Sequence, residues 1–310
     1  MYQEPPAAAI PAPVVPQVAI KEMFSNRRVF GVLGLLFSVA LLIVPLMYRN
    51  QLRLDVIEPL IPRTWTFWTV FVLFYLHGPL SEWLIFRRLW DIPFLSGTAA
   101  LLRKLVTNEL LLGYLGEVQF YAWARARANV TAAPFGAIKD VALLSGLTGN
   151  IATLAMVIAA WPLVASGNLG LPMKSVFLSL SFVIGPACLI LLFRKKLFSL
   201  DRRELWFITI VHVVRIILFI MLSAIMWHLV LPQVTVGLWL VLATLRMLVS
   251  RLPFLPNKDL VFAGIAVFLL GHDVEIAALM TMMAAILLAS HIVVGVAFGL
   301  TGVVESRRNA

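Results

Sequence analysis

Charge is what this chain has least of. Of its 310 residues only 13% are Asp, Glu, Lys or Arg, while 61% are hydrophobic, and the mean hydropathy is +0.96. A soluble domain of this size keeps about a quarter of its residues charged, because its surface has to be solvated. The polar groups here are too few to cover a globule in water. Cysteine is nearly missing as well: Cys188 stands alone, so no disulfide can close within the chain and the redox compartment stays open. The apolar runs do not alternate with polar residues as the strands of a membrane barrel would. There is no Walker-type phosphate loop, no GxSxG elbow, and no polar segment long enough to fold as a soluble catalytic or nucleic-acid-binding domain. The five histidines are scattered, without the spacing that sets two of them on one helix face around a metal. His272-Asp273-Val274-Glu275 reads as the start of a helix. These absences point away from an enzyme, a cofactor, a metal and nucleic acid, and no catalytic residue is expected.

What is present is a series of apolar stretches near 20 residues long. At about 1.5 Å per helical residue such a stretch matches a hydrocarbon core about 30 Å thick. The clearest are Val29–Met47, Thr64–Phe86, Phe135–Val164, Met173–Phe193, Glu204–Leu231 and Glu275–Val304. Two further apolar regions are less regular. Pro93–Glu117 carries Arg103, Lys104 and Glu109, and Val236–Leu270 is interrupted by Arg246, Arg251 and the run Pro253-Phe254-Leu255-Pro256-Asn257-Lys258-Asp259. The expectation is an all-α, polytopic integral membrane protein with about six transmembrane helices and two re-entrant or interfacial helical elements. Residues 1–28 read as a disordered Pro/Ala-rich cytoplasmic tail without a cleavable leader, 29–304 as the helical membrane domain and 305–310 as a cytoplasmic tail.

The net charge of +10 sits in short clusters between spans, which suits topology signals and anionic lipid headgroups. The loop holding Arg194, Lys195, Lys196, Arg202 and Arg203 should be cytoplasmic; Ala165–Pro172 and Pro232–Thr235, without Lys or Arg, should face out. Both termini then lie in the cytoplasm. Met47–Arg63 breaks the pattern, facing out with three arginines. On this assignment Pro93–Glu117 has two cytoplasmic flanks and Val236–Leu270 two external ones, so each enters the membrane and leaves by the same side. A hinge is expected near Leu101–Thr107 in the first, unless that region is a surface helix, and at the two prolines in the second. Two such elements entering from opposite faces suggest an inverted repeat of the kind transporters use, although no residue-level repeat is visible.

Arg215 is the most informative polar residue. It lies about 16 Å into the Glu204–Leu231 span, where an arginine costs at least about 2.5–3.5 kcal/mol and needs an anionic partner. Glu117 and Glu109 are the expected partners, and His212 and Ser223 share the Arg215 face. Glu109, Gly113, Gly116 and Glu117 follow a near-i+4 rhythm, which reads as a face of bare backbone between two carboxylates. Lys139, Gly146, Asn150 and Thr153 form a polar stripe that either packs helices or binds substrate. Arg246, Arg251, Lys258 and Asp259 surround the proline hinge, where they meet a phosphate or snorkel and cap broken backbone.

At Leu112–Arg127 (LGYLGEVQFYAWARAR) the chain resembles the membrane domain of the lysylphosphatidylglycerol synthetase/flippase family and its stand-alone relatives. Gly116-Glu117 followed by Arg125 and Arg127 matches a segment of that family; Gly113-Tyr114-Leu115 replaces its Pro-Gly-Arg. Leu252–Asp259 occupies the place of a second family segment, without its glycines or its glutamate. The resemblance implies a flippase-like fold in the bacterial cytoplasmic (inner) membrane. The resulting expectation is lipid transport: a protein that binds or moves an anionic lipid, phospholipid or polyprenyl-linked, through Arg215, Arg246, Arg251, Lys258, Glu109, Glu117 and Asn150. Two other readings compete with it. One is a scaffold with membrane-protein partners in an envelope or polysaccharide assembly; the other is a membrane transferase acting on a lipid-linked substrate, with Glu117 as base.

Overall fold

A computed structural model of the chain describes residues 58–110, 115–127, 134–159, 185, 197–250, 258–270 and 273–308. The expected span Val29–Met47, the tail 1–28, nearly all of Met173–Phe193, and Arg251 with its two neighbouring prolines lie outside the described residues. Among the described residues there are eight α-helices, one short 3-10 turn at Glu58–Leu60, and no strand.

The helices follow one another as α1 (Trp65–Trp90), α2 (Phe94–Leu110), α3 (Leu115–Arg127), α4 (Pro134–Ala159), α5 (Arg202–Val230), α6 (Val236–Ser250), α7 (Lys258–Leu270) and α8 (Val274–Arg308). A long helix, two short ones and a long one therefore occur twice. Their ends are set by local chemistry. Thr64 Oγ1 accepts the Phe67 N–H at the start of α1. At its end Asp91 takes the left-handed conformation (φ 49°), which Asp tolerates better than most residues, and its N–H returns to the Arg87 carbonyl. Asp273 Oδ1 accepts the Ile276 N–H, so the turn before α8 is a helix start, as its sequence predicts.

Among the described residues three helices are long and apolar enough to cross a membrane: α1, α5 and the Val274–Phe298 part of α8. Along α5, Trp206, Ile210, Val214, Ile217, Met221 and Ile225 recur every three or four residues, all between 41% and 68% exposed. They make one continuous apolar face about 28 Å long. In water such a patch would drive association; in hydrocarbon it needs no cover.

Helices α1 and α5 pack antiparallel down the centre, since Arg88 pairs with Glu204, Glu82 with Arg215, and Phe74 stacks near Phe219. Hairpin α2/α3 packs toward one end of this pair with α4, around Phe86, Leu101, Phe120 and Ile208. Hairpin α6/α7 packs toward the other end with α8, around Phe71, Trp227, Trp239 and Leu279. The first hairpin turns later than its sequence predicts. Residues 101–107 are helical without interruption, because they contain no glycine or proline and their charges find partners on neighbouring helices. The first arm ends at Leu110 and the second begins at Leu115. In the second hairpin α6 ends at Ser250 and α7 begins at Lys258; the two prolines between them lie outside the described residues. Helix α8 continues to Arg308, into the segment expected as a tail.

Candidate functional site: two polar clusters between the hairpins

Where each hairpin meets α1 and α5, the apolar packing gives way to buried charge. The first cluster joins four helices. Glu82 on α1 receives Lys104 Nζ from α2 at 2.7 Å on one oxygen, and Arg215 Nη1 from α5 at 3.5 Å on the other. Lys104 also reaches Glu117 on α3 at 3.3 Å, and Arg215 Nη2 donates to Ser145 Oγ on α4 at 2.7 Å. Two cations meet two carboxylates, so the cluster is neutral within itself. Beside it the Gly116 N–H donates to Asn108 Oδ1 at 2.7 Å. A Cβ on Gly116 would fall against the Lys104 carbonyl and 2.8 Å from Asn108 Oδ1, so α2 and α3 come this close because residue 116 has no side chain. His212 Nε2 lies 3.2 Å from the Val141 carbonyl and ties α5 to α4.

The second cluster is built from the other hairpin. Arg246 on α6 donates Nε and Nη2 to Asp259 Oδ1 on α7, at 2.9 and 2.5 Å, and Nη1 to Ser223 Oγ on α5 at 3.1 Å. Its guanidinium lies over the rings of Phe74 and Phe219, 4.9 and 4.7 Å from their centroids. Here the two hairpins meet: Glu109, in the last turn of α2, accepts the backbone N–H of Lys258, the first residue of α7. Around this contact lies a cavity of about 150 Å³, walled by Tyr75, His77, Glu109, Arg246, Lys258, Asp259 and His291 with apolar neighbours. A wider cleft of about 440 Å³ runs between α1 and α8, lined by Trp68, Phe71, Val72, Leu76, Ile286 and Val293 among others. Tyr75 borders both spaces, and its hydroxyl sits 3.0 Å from His291 Nδ1.

The structure brings together Glu109, Arg246 and Lys258 at the cavity, whereas Arg215, Glu117 and Asn150 do not line it, and Arg251 lies outside the described residues. Arg215 does have a carboxylate partner, but the partner is Glu82. Glu117 belongs to the same cluster through Lys104, and Glu109 belongs to the other one. Glu109 and Gly116-Glu117 do not share a helix face, because the break after Leu110 puts them on separate arms of a hairpin. Ser223 serves Arg246 rather than Arg215. Asn150 lies on α4 and is not among the residues lining the cavity. Within the α4 stripe Lys139 donates to the Leu197 carbonyl and to Ser199 Oγ, and Thr153 Oγ1 to the Gly149 carbonyl of its own helix, so both hold structure. Next to Lys139, the fully buried Asp140 accepts the N–H groups of Ser199 and Leu200 and anchors the segment that leads into α5.

Glu82, Tyr75 and His291 are absent from the residues singled out by sequence. Glu82 carried a usable signal: a carboxylate near the end of an apolar span calls for a buried cation by the same reasoning that flags Arg215. No group of three or more His, Cys, Asp or Glu suited to a metal ion occurs among the described residues. Fold and site together define a chain whose described residues are helical, with three membrane-length helices and two buried charge clusters among them. Comparison with known proteins finds no matching family model, no matching curated protein and no matching solved structure.

Proposed function

We propose that this chain is a flippase-like protein of the bacterial cytoplasmic membrane that binds, and carries across the bilayer, a lipid with a phosphate-bearing headgroup. The observation that carries the reading is the junction at Tyr75 between a charged cavity and an apolar cleft. An amphiphile needs both: a place where the headgroup keeps hydrogen bonds, and a wall along which its chains stay in hydrocarbon. Arg246 and Lys258 supply cations, Asp259 and Glu109 balance them, and the N-terminus of α7 adds its dipole. The balance of two against two suits a singly charged group and disfavours a polyanion. The repeated order of helices supports an inverted repeat, because α1 and α5, which open the two runs, lie antiparallel. In that arrangement each hairpin enters from its own face of the membrane and the two meet at Glu109 and Lys258.

The test is transbilayer movement in proteoliposomes, without nucleotide, of fluorescent phosphatidylglycerol followed by dithionite quenching. Arg246→Gln and Lys258→Gln are expected to slow it about tenfold or more, while Arg202→Gln, on an exposed residue at the start of α5, leaves it unchanged. Movement equal in the two cavity variants and the wild type refutes the assignment of the site. The second reading, a membrane scaffold, rests on the first cluster: Glu82, Lys104, Glu117 and Arg215 neutralise one another, as side chains that fasten helices do. If no candidate lipid moves faster than in protein-free vesicles, that reading replaces the first.

A further inference from the structure

The two clusters are versions of one arrangement. Lys104 is the eleventh residue of α2 and Arg246 the eleventh of α6. Each cation reaches across its own hairpin to a carboxylate 13 residues later, Glu117 on α3 and Asp259 on α7. Each also reaches back to the preceding long helix: Lys104 to Glu82, 22 residues earlier on α1, and Arg246 to Ser223, 23 residues earlier on α5. The helices around them correspond as well. Helix α2 packs against α1, α3 and α8; exchanging the halves turns these into α5, α7 and α4, which are the neighbours of α6.

The correspondence fails at the back contact, where Glu82 meets Arg215 as well as Lys104 and Ser223 meets Arg246. In the first half the back contact is a carboxylate, so Lys104 has two anionic partners. In the second half the residue at that place is a serine, shorter and neutral, and among the described residues Arg246 forms an ion pair with Asp259 alone. Its three hydrogen bonds use three of the five N–H donors of a guanidinium. The cavity lies beside this incomplete half. At about 30 Å³ per water-sized group, it has room for on the order of five such groups, which suits the heavy atoms of a phosphate.

We infer that a singly charged oxyanion, a phosphodiester or an equivalent phosphate, completes around Arg246 the constellation that the Glu82 carboxylate completes around Lys104. Position 223 then determines whether the cavity takes an external anion. Ser223 is fully buried and meets Arg246 from outside the cavity wall with a neutral hydroxyl; a glutamate there would give Arg246 a second carboxylate from within the protein. The inference rests on the lipid-binding reading above and adds to it the group recognised and the residue that decides the recognition.

The experiment measures the unfolding midpoint of the full-length protein in neutral detergent alone and with inorganic phosphate, phosphatidylglycerol or diacylglycerol, the last supplying acyl chains without an anion. Saturable stabilisation of the wild type by several degrees is expected with phosphatidylglycerol and none with diacylglycerol. Protection by phosphate as well assigns the anion alone as ligand, and protection by the lipid only assigns the headgroup on its chains. Ser223→Glu should abolish the shift, lowering apparent affinity about tenfold or more, whereas Ser223→Ala keeps it within about threefold. Equal protection of wild type and Ser223→Glu overturns the inference and leaves lipid binding standing; equal protection by diacylglycerol does the same. Absence of any protection of the wild type overturns both. Should Ser223→Glu not fold, Glu82→Ser decides the matter, because opening the matching place in the first half should create a new phosphate-dependent stabilisation. No gain in that variant counts against the inference.

Discussion

The Glu82–Arg215 contact makes a prediction that separates partners from bystanders. At 3.5 Å and an effective dielectric constant near 20, the two charges attract by about 5 kcal/mol. Desolvating the ions costs several kcal/mol each, so the coupling left for a double-mutant cycle is about 1–3 kcal/mol. The two single changes should differ in cost. Arg215→Gln leaves Glu82 with Lys104 at 2.7 Å, so the carboxylate stays neutralised and the loss should be about 1–2 kcal/mol. Glu82→Gln leaves two cations, of which Arg215 retains a serine hydroxyl and Lys104 a carboxylate at 3.3 Å, so the loss should reach about 3–5 kcal/mol. Removing both charges should cost less than the sum of the singles. Glu109 serves as control: Arg215→Gln with Glu109→Gln should add within about 0.5 kcal/mol, since Glu109 sits in the other cluster. The assay is equilibrium unfolding in mixed micelles with secondary structure as readout. Strict additivity for Glu82 and Arg215, or a larger coupling to Glu109, would refute the pairing.

Gly116→Ala should destabilise by about 2 kcal/mol or more, because its Cβ meets backbone that has nowhere to go; Gly146→Ala, with nothing within 4 Å, should be neutral or gain up to about 1 kcal/mol of helix propensity in the same assay. Asp140→Ala should cost about 2–4 kcal/mol, since it strands two N–H groups and the Lys139 ammonium 3.3 Å away, and amide exchange at Ser199 and Leu200 should quicken with it. Single cysteines at Gln233 and His272, in a Cys188→Ser background, should both react with an impermeant thiol reagent on intact spheroplasts; labelling of one alone means that the α6/α7 region crosses the membrane and is not a hairpin.

The elements legible in the sequence are those that a length or a break rule governs. The span expected at Glu204–Leu231 is α5, Arg202–Val230, and the region expected as Val236–Leu270 holds two short helices, α6 and α7. A buried arginine at position 215 is legible because hydrocarbon leaves few ways to satisfy one. Its partner is not, because partner choice depends on how α1 slides against α5, and several glutamates satisfy the same rule. The Leu101–Thr107 hinge is misplaced for a related reason. Charges inside an apolar run look like a break, yet Lys104 stays in a regular helix once Glu82 and Glu117 meet it. The matching of the two halves escapes the sequence for a chemical reason: lysine answers to arginine, glutamate to aspartate and glutamate to serine. What is repeated is the spacing of functional groups along paired helices, and that spacing has no meaning until the helices are placed.

The same spacing binds the two clusters mechanically. On α5, Arg215, Phe219 and Ser223 follow at intervals of four residues, so one face carries the first cluster's cation, a ring beneath Arg246 and the hydroxyl that Arg246 meets. On α1, Phe74 and Glu82 lie eight residues apart in the opposite direction, again one member for each cluster. A slide of α1 along α5 by one helical turn, about 5.4 Å, would separate Glu82 from Arg215 and in the same movement uncover Arg246 from one of its two rings. Packed helices move between discrete seatings of this kind more readily than through intermediate ones. An anion at Arg246 that favours one seating therefore acts on the Glu82–Arg215 contact through the α1/α5 interface, with no further chain of contacts required. The free energy it can exert there is limited to the difference in its affinity for the two seatings.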